Sequence, residues 1–458
     1  MKKVLAVFAV LAMACVSSLA FAADVTVGGE LAVRSRDFSN LLLNKTANSN
    51  SNDQMDTQTR VKIDVNAKAG DNVKGKVQLW HDFDTWGAAN LTQTGTGLEA
   101  SNASSGQGLG FREAWINFNI PGVPVNVTAG HQLLALGQGY FFVSRHFGSD
   151  AWVVANVTGN NTIAIVDIKA AEGQTRFSDD LDAYAILDVF KIDDNNMVGI
   201  DLTNVKDRRA ALSSGASGTA GTTALGRAGA GGAFKDINLY NVGLNYTGKL
   251  GPLNLKAEVD VQSGKAAAAA AGGTDAKFKG NQIVIKGDVA MDPASINFTV
   301  ARGSGNKANS NDFDQIVTIL DIDPHVAFLY EYKLPTVALN VPSQGAANDH
   351  LNTGFANTTA LNIGAAFAAT KSLKIGANLW LLQATEKVSY KNGPAATDVA
   401  TTNEVGNEID VNINWKLYDN LAWNWNLGMF LPGKAYNKAN GDKGDTATGI
   451  QGILALSF

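Results

Sequence analysis

Apolar and polar residues alternate with a period of two along most of the chain. In the segment 60–68, Val61, Ile63 and Val65 share one parity, and charged residues or asparagine occupy the other. This period is typical of β-strands that present one apolar face. It predicts 18 strands, over 24–36, 57–69, 72–83, 111–120, 124–131, 181–189, 196–203, 237–247, 252–262, 280–290, 293–301, 314–322, 325–333, 361–369, 373–384, 406–417, 420–430 and 449–458. A further hairpin in 151–169 would raise the count to 20.

The lengths of the strands and of their connections separate a membrane barrel from a soluble β-sandwich, which alternates in the same way. Many of the predicted strands reach about 9 to 12 residues, the length that a tilted strand needs to cross a bilayer. Short connections such as 70–72 and 418–420 are separated by long polar stretches such as 206–235 and 335–359. Short turns that alternate with long loops are typical of outer-membrane barrels.

The last residue, Phe458, shares its parity with the apolar residues Leu456, Leu454 and Ile450. We therefore expect an all-β fold, a closed antiparallel transmembrane β-barrel of about 18 strands (range 16 to 20), with short periplasmic turns and long extracellular loops. An even number of strands places both termini on the periplasmic side. A barrel of this size encloses an aqueous channel, because side chains alone do not fill it.

The N-terminus has the features of a secretory signal peptide. Two lysines and an apolar run over 4–16 precede the small-residue site Ala20-Phe21-Ala22. We predict that 1–22 is cleaved and that 23–458 forms a single barrel domain. A membrane anchor and a lipoprotein attached through Cys15 are the alternatives. Cys15 is the only cysteine, so the mature chain would contain no disulfide.

Charged residues dominate the polar parity, which faces the barrel lumen if the apolar parity faces lipid. The early strands are mainly basic and the late strands mainly acidic, which predicts a transverse field across the pore. Simple solvation of a polar lumen is the alternative for any single residue. The predicted lumen and constriction residues are Arg34, Arg36, Arg60, Lys62, Lys74, Lys76, Glu113, His131, Arg145, His146, Asp150, Glu408 and Asp410.

The segment 131–152 differs from its surroundings because it is too apolar for an exposed loop and lacks clean alternation. Gly137, Gly139 and Gly148 permit sharp turns there. We predict that this segment folds inward and narrows the pore. A subunit-interface loop and two irregular strands are the alternatives.

Motifs of catalytic and metal centres do not occur in this sequence. None of the five histidines lies in an HExxH motif, and no GxSxG turn is present. Ser144, His146 and Asp150 are close in sequence, but neighbours on one strand or loop do not make a catalytic triad. With 42 acidic and 37 basic residues, the chain has a formal net charge of −5, unlike a nucleic-acid-binding protein. We expect no enzymatic activity, no metal, no cofactor and no nucleic-acid partner.

The chain resembles Gram-negative outer-membrane porins. The signal peptide, the mature start ADVTVGGELAVRSRDF, the stretch FREAWINFNIPGVPVNVTAGHQ and the terminal GILALSF carry the resemblance. It is similar to the abundant porins of metal- and sulfate-reducing deltaproteobacteria and, more distantly, to alginate-export-type barrels, which have a basic lumen. This chain lacks a dense arginine ladder, which departs from the alginate-export type. The resemblance implies a homotrimer.

These observations predict a porin of the cell outer membrane, exported through the periplasm, that passes small hydrophilic solutes and ions by passive diffusion. The alternatives are a channel selective for sugars, organic acids or anions, a surface scaffold or adhesin that binds partners through its loops, and a secreted β protein outside any membrane. The expected partners are outer-membrane lipid and lipopolysaccharide, the solutes, and the outer-membrane assembly machinery, which would recognise Phe458.

Overall fold

The computed structural model describes residues 23–46, 52–86, 109–172, 178–208, 234–268, 273–307, 310, 312–320, 327–330, 333–334, 354–395 and 397–458. The predicted signal peptide, 1–22, lies outside these residues. Within the described part of the chain, no helix is long and apolar enough to cross a membrane.

Eighteen antiparallel strands form one closed barrel. They are β1 (Ala23–Ser39), β2 (Gln54–Ala69), β3 (Val73–Thr85), β4 (Gly110–Asn119), β5 (Val125–Gln132), β6 (Ser149–Thr158), β7 (Asn161–Ala171), β8 (Leu181–Lys191), β9 (Met197–Asp207), β10 (Phe234–Leu250), β11 (Leu253–Ala268), β12 (Asn281–Met291), β13 (Ala294–Gly303), β14 (Thr358–Ala368), β15 (Leu373–Lys391), β16 (Val399–Tyr418), β17 (Leu421–Pro432) and β18 (Ala447–Ser457). Each strand pairs with its sequence neighbours, and β18 pairs with β1. Closure therefore leaves no unpaired sheet edge.

Short and long connections alternate around the barrel. The short turns, such as 70–72, 251–252 and 419–420, join even-numbered strands to the next odd-numbered strand. The strands that flank the longer connections, such as 208–233 and 304–357, meet those connections at the other end of the barrel. The first strand begins and the last strand ends at the short-turn end, as the prediction of an even strand number requires.

The outward face of the barrel is apolar. A row of paired residues crosses β6 to β10, and every member exposes between 38% and 58% of its surface: Val154, Ile165, Ile186, Leu202 and Val242. The residues between them on the same strands face inward and are buried, for example Val166, Ala185 and Val205. A soluble protein rarely exposes so continuous an apolar surface.

Two parts of the connections pack inside the barrel. The first inward segment is 133–148, and the second comprises the described residues of 312–334. Phe142-Val143 of the first pairs in parallel with Ile319-Leu320 of the second. Leu136, Phe141 and Ile319 pack against inward-facing residues of β7 to β11, while Leu329 and Tyr330 pack against Phe38, Phe430 and Tyr436 on the other side of the lumen.

The predicted number of strands is confirmed, but the prediction of two individual strands is wrong. The segments 314–322 and 325–333 were expected to be barrel strands, and their described residues belong instead to the second inward segment. The hairpin in 151–169 is present, as β6 and β7. A segment buried in the lumen is as apolar as a lipid-facing strand, so hydrophobicity alone does not separate the two.

Candidate functional site in the barrel interior

Inward-facing side chains of β1 to β4 form a continuous charged surface, which we name the charged wall. The pairing register places these side chains on the same face of the sheet, because it sets Glu30 beside Lys62, Arg34 beside Gln58, and Arg36 beside Asp56. The members of the charged wall are Glu30, Arg34, Arg36, Asp56, Arg60, Lys62, Asp64, Lys76, Asp82, Arg112 and Glu113.

Carboxylates within the charged wall pair with its cations. Arg36 binds Asp56 through two hydrogen bonds of 2.9 and 2.8 Å, and both side chains are almost fully buried. Arg60 Nη2 lies 2.7 Å from Glu30, and Lys76 Nζ lies 2.7 Å from Glu113. The early strands therefore form a mixed wall of both charges, in place of the mainly basic wall that their lysines and arginines predict.

Two arginines of the charged wall share an aromatic partner. The guanidinium carbon of Arg34 lies 3.7 Å from the centre of the Phe83 ring, and that of Arg60 lies 4.4 Å from it. Arg34 also hydrogen-bonds the neutral side chain of Gln58. Cations above an aromatic ring are attracted by the ring quadrupole. The charged wall thus offers guanidinium groups beside an apolar ring.

Arg112 joins the charged wall to the first inward segment. Its Nε donates a 2.8 Å hydrogen bond to the carbonyl oxygen of His146, and another nitrogen donates to the carbonyl oxygen of Arg145. Its Nη1 donates to Gln78 at 2.6 Å. The sequence analysis missed Arg112 because a register shift in the β3–β4 pairing turns it inward, out of the simple alternation.

Glutamates on two other strands bind the inward segments. Glu408 accepts the backbone N–H groups of Leu329 at 2.5 Å and Tyr330 at 2.8 Å, and Asp410 accepts that of Phe328 at 3.3 Å. On β11, Glu258 accepts the N–H groups of Gln138 and Tyr140. Burial, together with the nearby Glu258 carboxylate, raises the pKa of Tyr140 above its ordinary value. We name Glu258 and Glu408 the two carboxylate anchors.

Glu408 and Asp410 were predicted to face water in the lumen, and this expectation needs correction. Both residues face inward, but they are 0% and 4% exposed because the second inward segment covers them. Their partners are the backbone N–H groups of 328–330, which would otherwise lack an acceptor in the buried segment. Glu408 and Asp410 therefore attach the second inward segment to the barrel wall, and they do not form an open acidic wall opposite the charged wall.

The prediction for His131 and Asp150 is also corrected. The two are paired with each other on the same parity as the exposed Trp152, which is the outward face. His131 Nδ1 lies 2.9 Å from Asp150, and its Nε2 lies 2.8 Å from the carbonyl oxygen of Phe147. They contact the end of the first inward segment from the barrel rim. Polar side chains on a strand predict an inward position, but at the rim, where β5 ends, the outward face carries polar residues as well.

The remaining predicted residues divide between the rim and the short-turn end. His146 makes an edge-to-face contact with Trp80, with ring centres 5.0 Å apart, and its Nε2 lies 3.3 Å from Asp82. Arg145 is exposed beside it. Lys74 has the inward parity but pairs with Lys68 near the short turn, away from the other members of the charged wall.

A repeated sequence pattern marks the two carboxylate anchors. Glu258-Val259-Asp260-Val261 lies on β11 and Glu408-Ile409-Asp410-Val411 lies on β16. In both, the glutamate and the aspartate face inward and are almost fully buried. The shared spacing of glutamate and aspartate on the two strands is visible in the sequence when the strands are compared with each other. Within the described residues, no cluster of His, Cys, Asp or Glu is arranged to hold a metal ion.

Comparison with solved structures shows the fold. A BenF-like porin from Pseudomonas fluorescens Pf-5 aligns with a TM-score of 0.54 and 10% identity, over 95% of this chain and 99% of that one. OpdK of Pseudomonas aeruginosa, solved with vanillate, gives 0.51 and 8%, over 94% and 98%. OccK2 (OpdF) of the same organism gives 0.52 and 9%, over 94% and 98%. No family model and no curated protein matches this sequence. The chain therefore has the 18-stranded fold of these porins.

Proposed function

We propose that this protein is an outer-membrane porin, a channel through which small hydrophilic solutes and ions diffuse passively. The observation that carries the proposal is the division of a closed 18-stranded barrel into an apolar outward face and an inward face with charged and amide side chains. The similarity of the fold to solved porins supports it. The proposal includes no chemical step and no cofactor.

The physical chemistry of the bilayer supports the location. Backbone N–H and C=O groups find no water at mid-membrane, so strands cross only in a closed barrel. The apolar row over β6 to β10 suits hydrocarbon and would be unfavourable in water. Closed antiparallel barrels with short turns at one end and long loops at the other are typical of the bacterial outer membrane.

The two inward segments set the width of the proposed channel. They cover the inward faces of β7 to β11 and the upper part of β14 to β18, where the buried clusters lie. Solutes would then pass beside the charged wall, with Arg34, Arg60 and Lys62 in reach. The first inward segment is proposed to act as the constriction in this way.

A channel selective for organic anions is the second candidate function. The arrangement of Arg34 and Arg60 about Phe83 favours it, because guanidinium groups bind carboxylates and the ring adds apolar contact. Carboxylates in the same wall, such as Glu30, would limit the preference for anions. We therefore expect a moderate anion preference and not an exclusive one.

The partners are likewise proposals. Homotrimeric assembly and contact with lipopolysaccharide would involve the apolar outward face. The assembly machinery would recognise the final strand, where the Phe458 N–H donates to Gly29 at 3.1 Å and its carbonyl oxygen accepts from Gly29 at 2.9 Å. A scaffold or adhesin would use the long connections instead of the lumen.

Liposome swelling tests the function and the constriction together. Purified protein that shows heat-modifiable gel migration is reconstituted, and swelling is compared in isosmotic neutral, anionic and cationic solutes of similar size. We expect swelling with all three, fastest with the anion, and faster swelling after deletion of 137–149. A folded protein that admits no solute would favour the scaffold instead, and an unchanged rate in the deletion variant would refute the constriction.

A further inference from the structure

Five asparagines on the inward face of five consecutive strands form a hydrogen-bonded row, which we name the amide ladder. It consists of Asn297 on β13, Asn362 on β14, Asn378 on β15, Asn412 on β16 and Asn426 on β17. All except Asn362 are only partly buried, so their amides are in contact with the lumen. The ladder belongs to a wall that is separate from the charged wall.

The hydrogen bonds of the amide ladder run in one direction. Asn297 donates to Asn378 at 3.1 Å, Asn378 donates to Asn412 at 3.2 Å, and Asn412 donates to Asn426 at 2.7 Å. Asn362 adds a bond to Asn378 at 3.3 Å. A primary amide has two N–H donors and two acceptor lone pairs. Asn297 also donates to Asn362 at 3.0 Å, so Asn297 uses both of its donors and Asn378 Oδ1 uses both of its lone pairs. The second N–H of Asn378 and the amides of Asn412 and Asn426 keep hydrogen-bonding capacity for a solute.

A glycine makes room for the ladder. Asn297 and Asn378 belong to strands that are not neighbours, and Gly364 of the strand between them pairs with both. A Cβ atom at Gly364 would lie 2.1 Å from Asn378 Oδ1 and 2.7 Å from Asn297 Oδ1. The missing side chain therefore lets the two amides meet over the intervening strand and leaves their outer edges facing the lumen.

The amide groups of the ladder offer both N–H donors and acceptor oxygens to a solute. A carboxylate solute would bring only acceptors to this wall. A hydroxyl group both donates and accepts, so it complements the amide oxygens and the amide N–H groups together.

We propose that the amide ladder is a binding track for the hydroxyl groups of neutral sugars and sugar alcohols. The proposal rests on the channel function and adds a solute class to it. The nitrogen and oxygen atoms of successive amides lie 2.7 to 3.3 Å apart, so one polyhydroxylated solute contacts several amides at once. Such a solute exchanges one amide for the next as it moves, which is how a channel combines binding with release.

Electrical recording on the full-length purified protein tests the proposal. KCl conductance is measured first in planar bilayers, and D-glucose and sorbitol are then added as probes of current block, with benzoate as a charged solute that has no hydroxyl group. We expect both polyols to block the current transiently. Removing one amide in Asn378→Ala or Asn412→Ala should weaken the block about fivefold, which corresponds to one neutral hydrogen bond.

Two further variants control for structure. Asn378→Asp preserves the size of the side chain but removes both N–H donors, so it should weaken polyol block while KCl conductance and heat-modifiable migration persist. Asn117→Ala, which removes an inward amide on β4 outside the ladder, should leave the block unchanged. KCl conductance without any polyol block, or equal block in all variants, would overturn the inference alone. Absence of KCl conductance would overturn the channel function, and the inference with it.

Discussion

Replacing Glu408 with glutamine separates the hydrogen-bonding role of a carboxylate anchor from its shape. Glu408 accepts two backbone N–H groups, one on each carboxylate oxygen. Glutamine retains one acceptor oxygen and turns an NH2 group towards the other N–H. One anchoring hydrogen bond is therefore lost, and one buried N–H group is left without a partner.

The expected cost follows from the buried N–H group that loses its acceptor. Leaving a buried donor unsatisfied costs roughly 1 to 3 kcal/mol. Every 1.36 kcal/mol changes an equilibrium constant tenfold. Local opening of the second inward segment should therefore become roughly 5 to 150 times more frequent. The packing of Leu329 and Tyr330, which are 0% and 1% exposed, remains in the variant and opposes complete release.

Amide hydrogen exchange, read by mass spectrometry on the peptide that contains 327–330, measures the opening. The matched control is Glu404→Gln on the same strand, because Glu404 makes only an exposed pair with Lys434. We expect faster exchange in Glu408→Gln and wild-type exchange in Glu404→Gln. If exchange in Glu408→Gln equals that of the wild type, apolar packing alone holds the segment and the anchoring role is refuted.

Three other perturbations have defined outcomes. Arg36→Met leaves the buried Asp56 without its cation, at a cost of about 3 to 5 kcal/mol, and should lower the temperature at which the folded band disappears on gels. Gly303→Val should do the same, since its Cβ would lie 2.0 Å from a backbone carbonyl oxygen. The hydrogen bond and ion pair with Lys438 lower the pKa of Asp445. Their stabilisation of the folded protein is therefore present above about pH 4 and is lost as the pH falls further. An acid-active protease should then cut the connection between β17 and β18 faster. Unchanged melting in either variant, or cleavage independent of pH, would contradict the respective contact.

The alternation in the sequence predicts the barrel because most strands are apolar on one face only. Where that condition fails, the prediction fails as well. On β7, Ala164, Val166 and Ile168 face inward beneath the first inward segment, while Ile163 and Ile165 face outward. Both faces of the strand are then apolar, so the alternation is lost. The sequence therefore predicts this hairpin only as an optional pair beyond the 18 strands.

The same cause produced the two wrong strands. Val317, Ile319 and Leu329 are buried among inward-facing residues of the barrel, and their apolar character comes from that burial and not from contact with lipid. Local sequence cannot distinguish these two apolar surroundings. The inward parity of the charged residues was predictable, but which of them remain accessible depends on where the inward segments lie, and that is a property of the tertiary structure.

Single-channel recording in planar bilayers tests the central claim most directly. The protein is purified from membranes, its folded state is established by heat-modifiable migration, and it is added to a bilayer bathed in KCl. The channel proposal predicts discrete and lasting steps of ion current, with a moderate preference for anions in a salt gradient. A folded, inserted barrel that carries no current would contradict it.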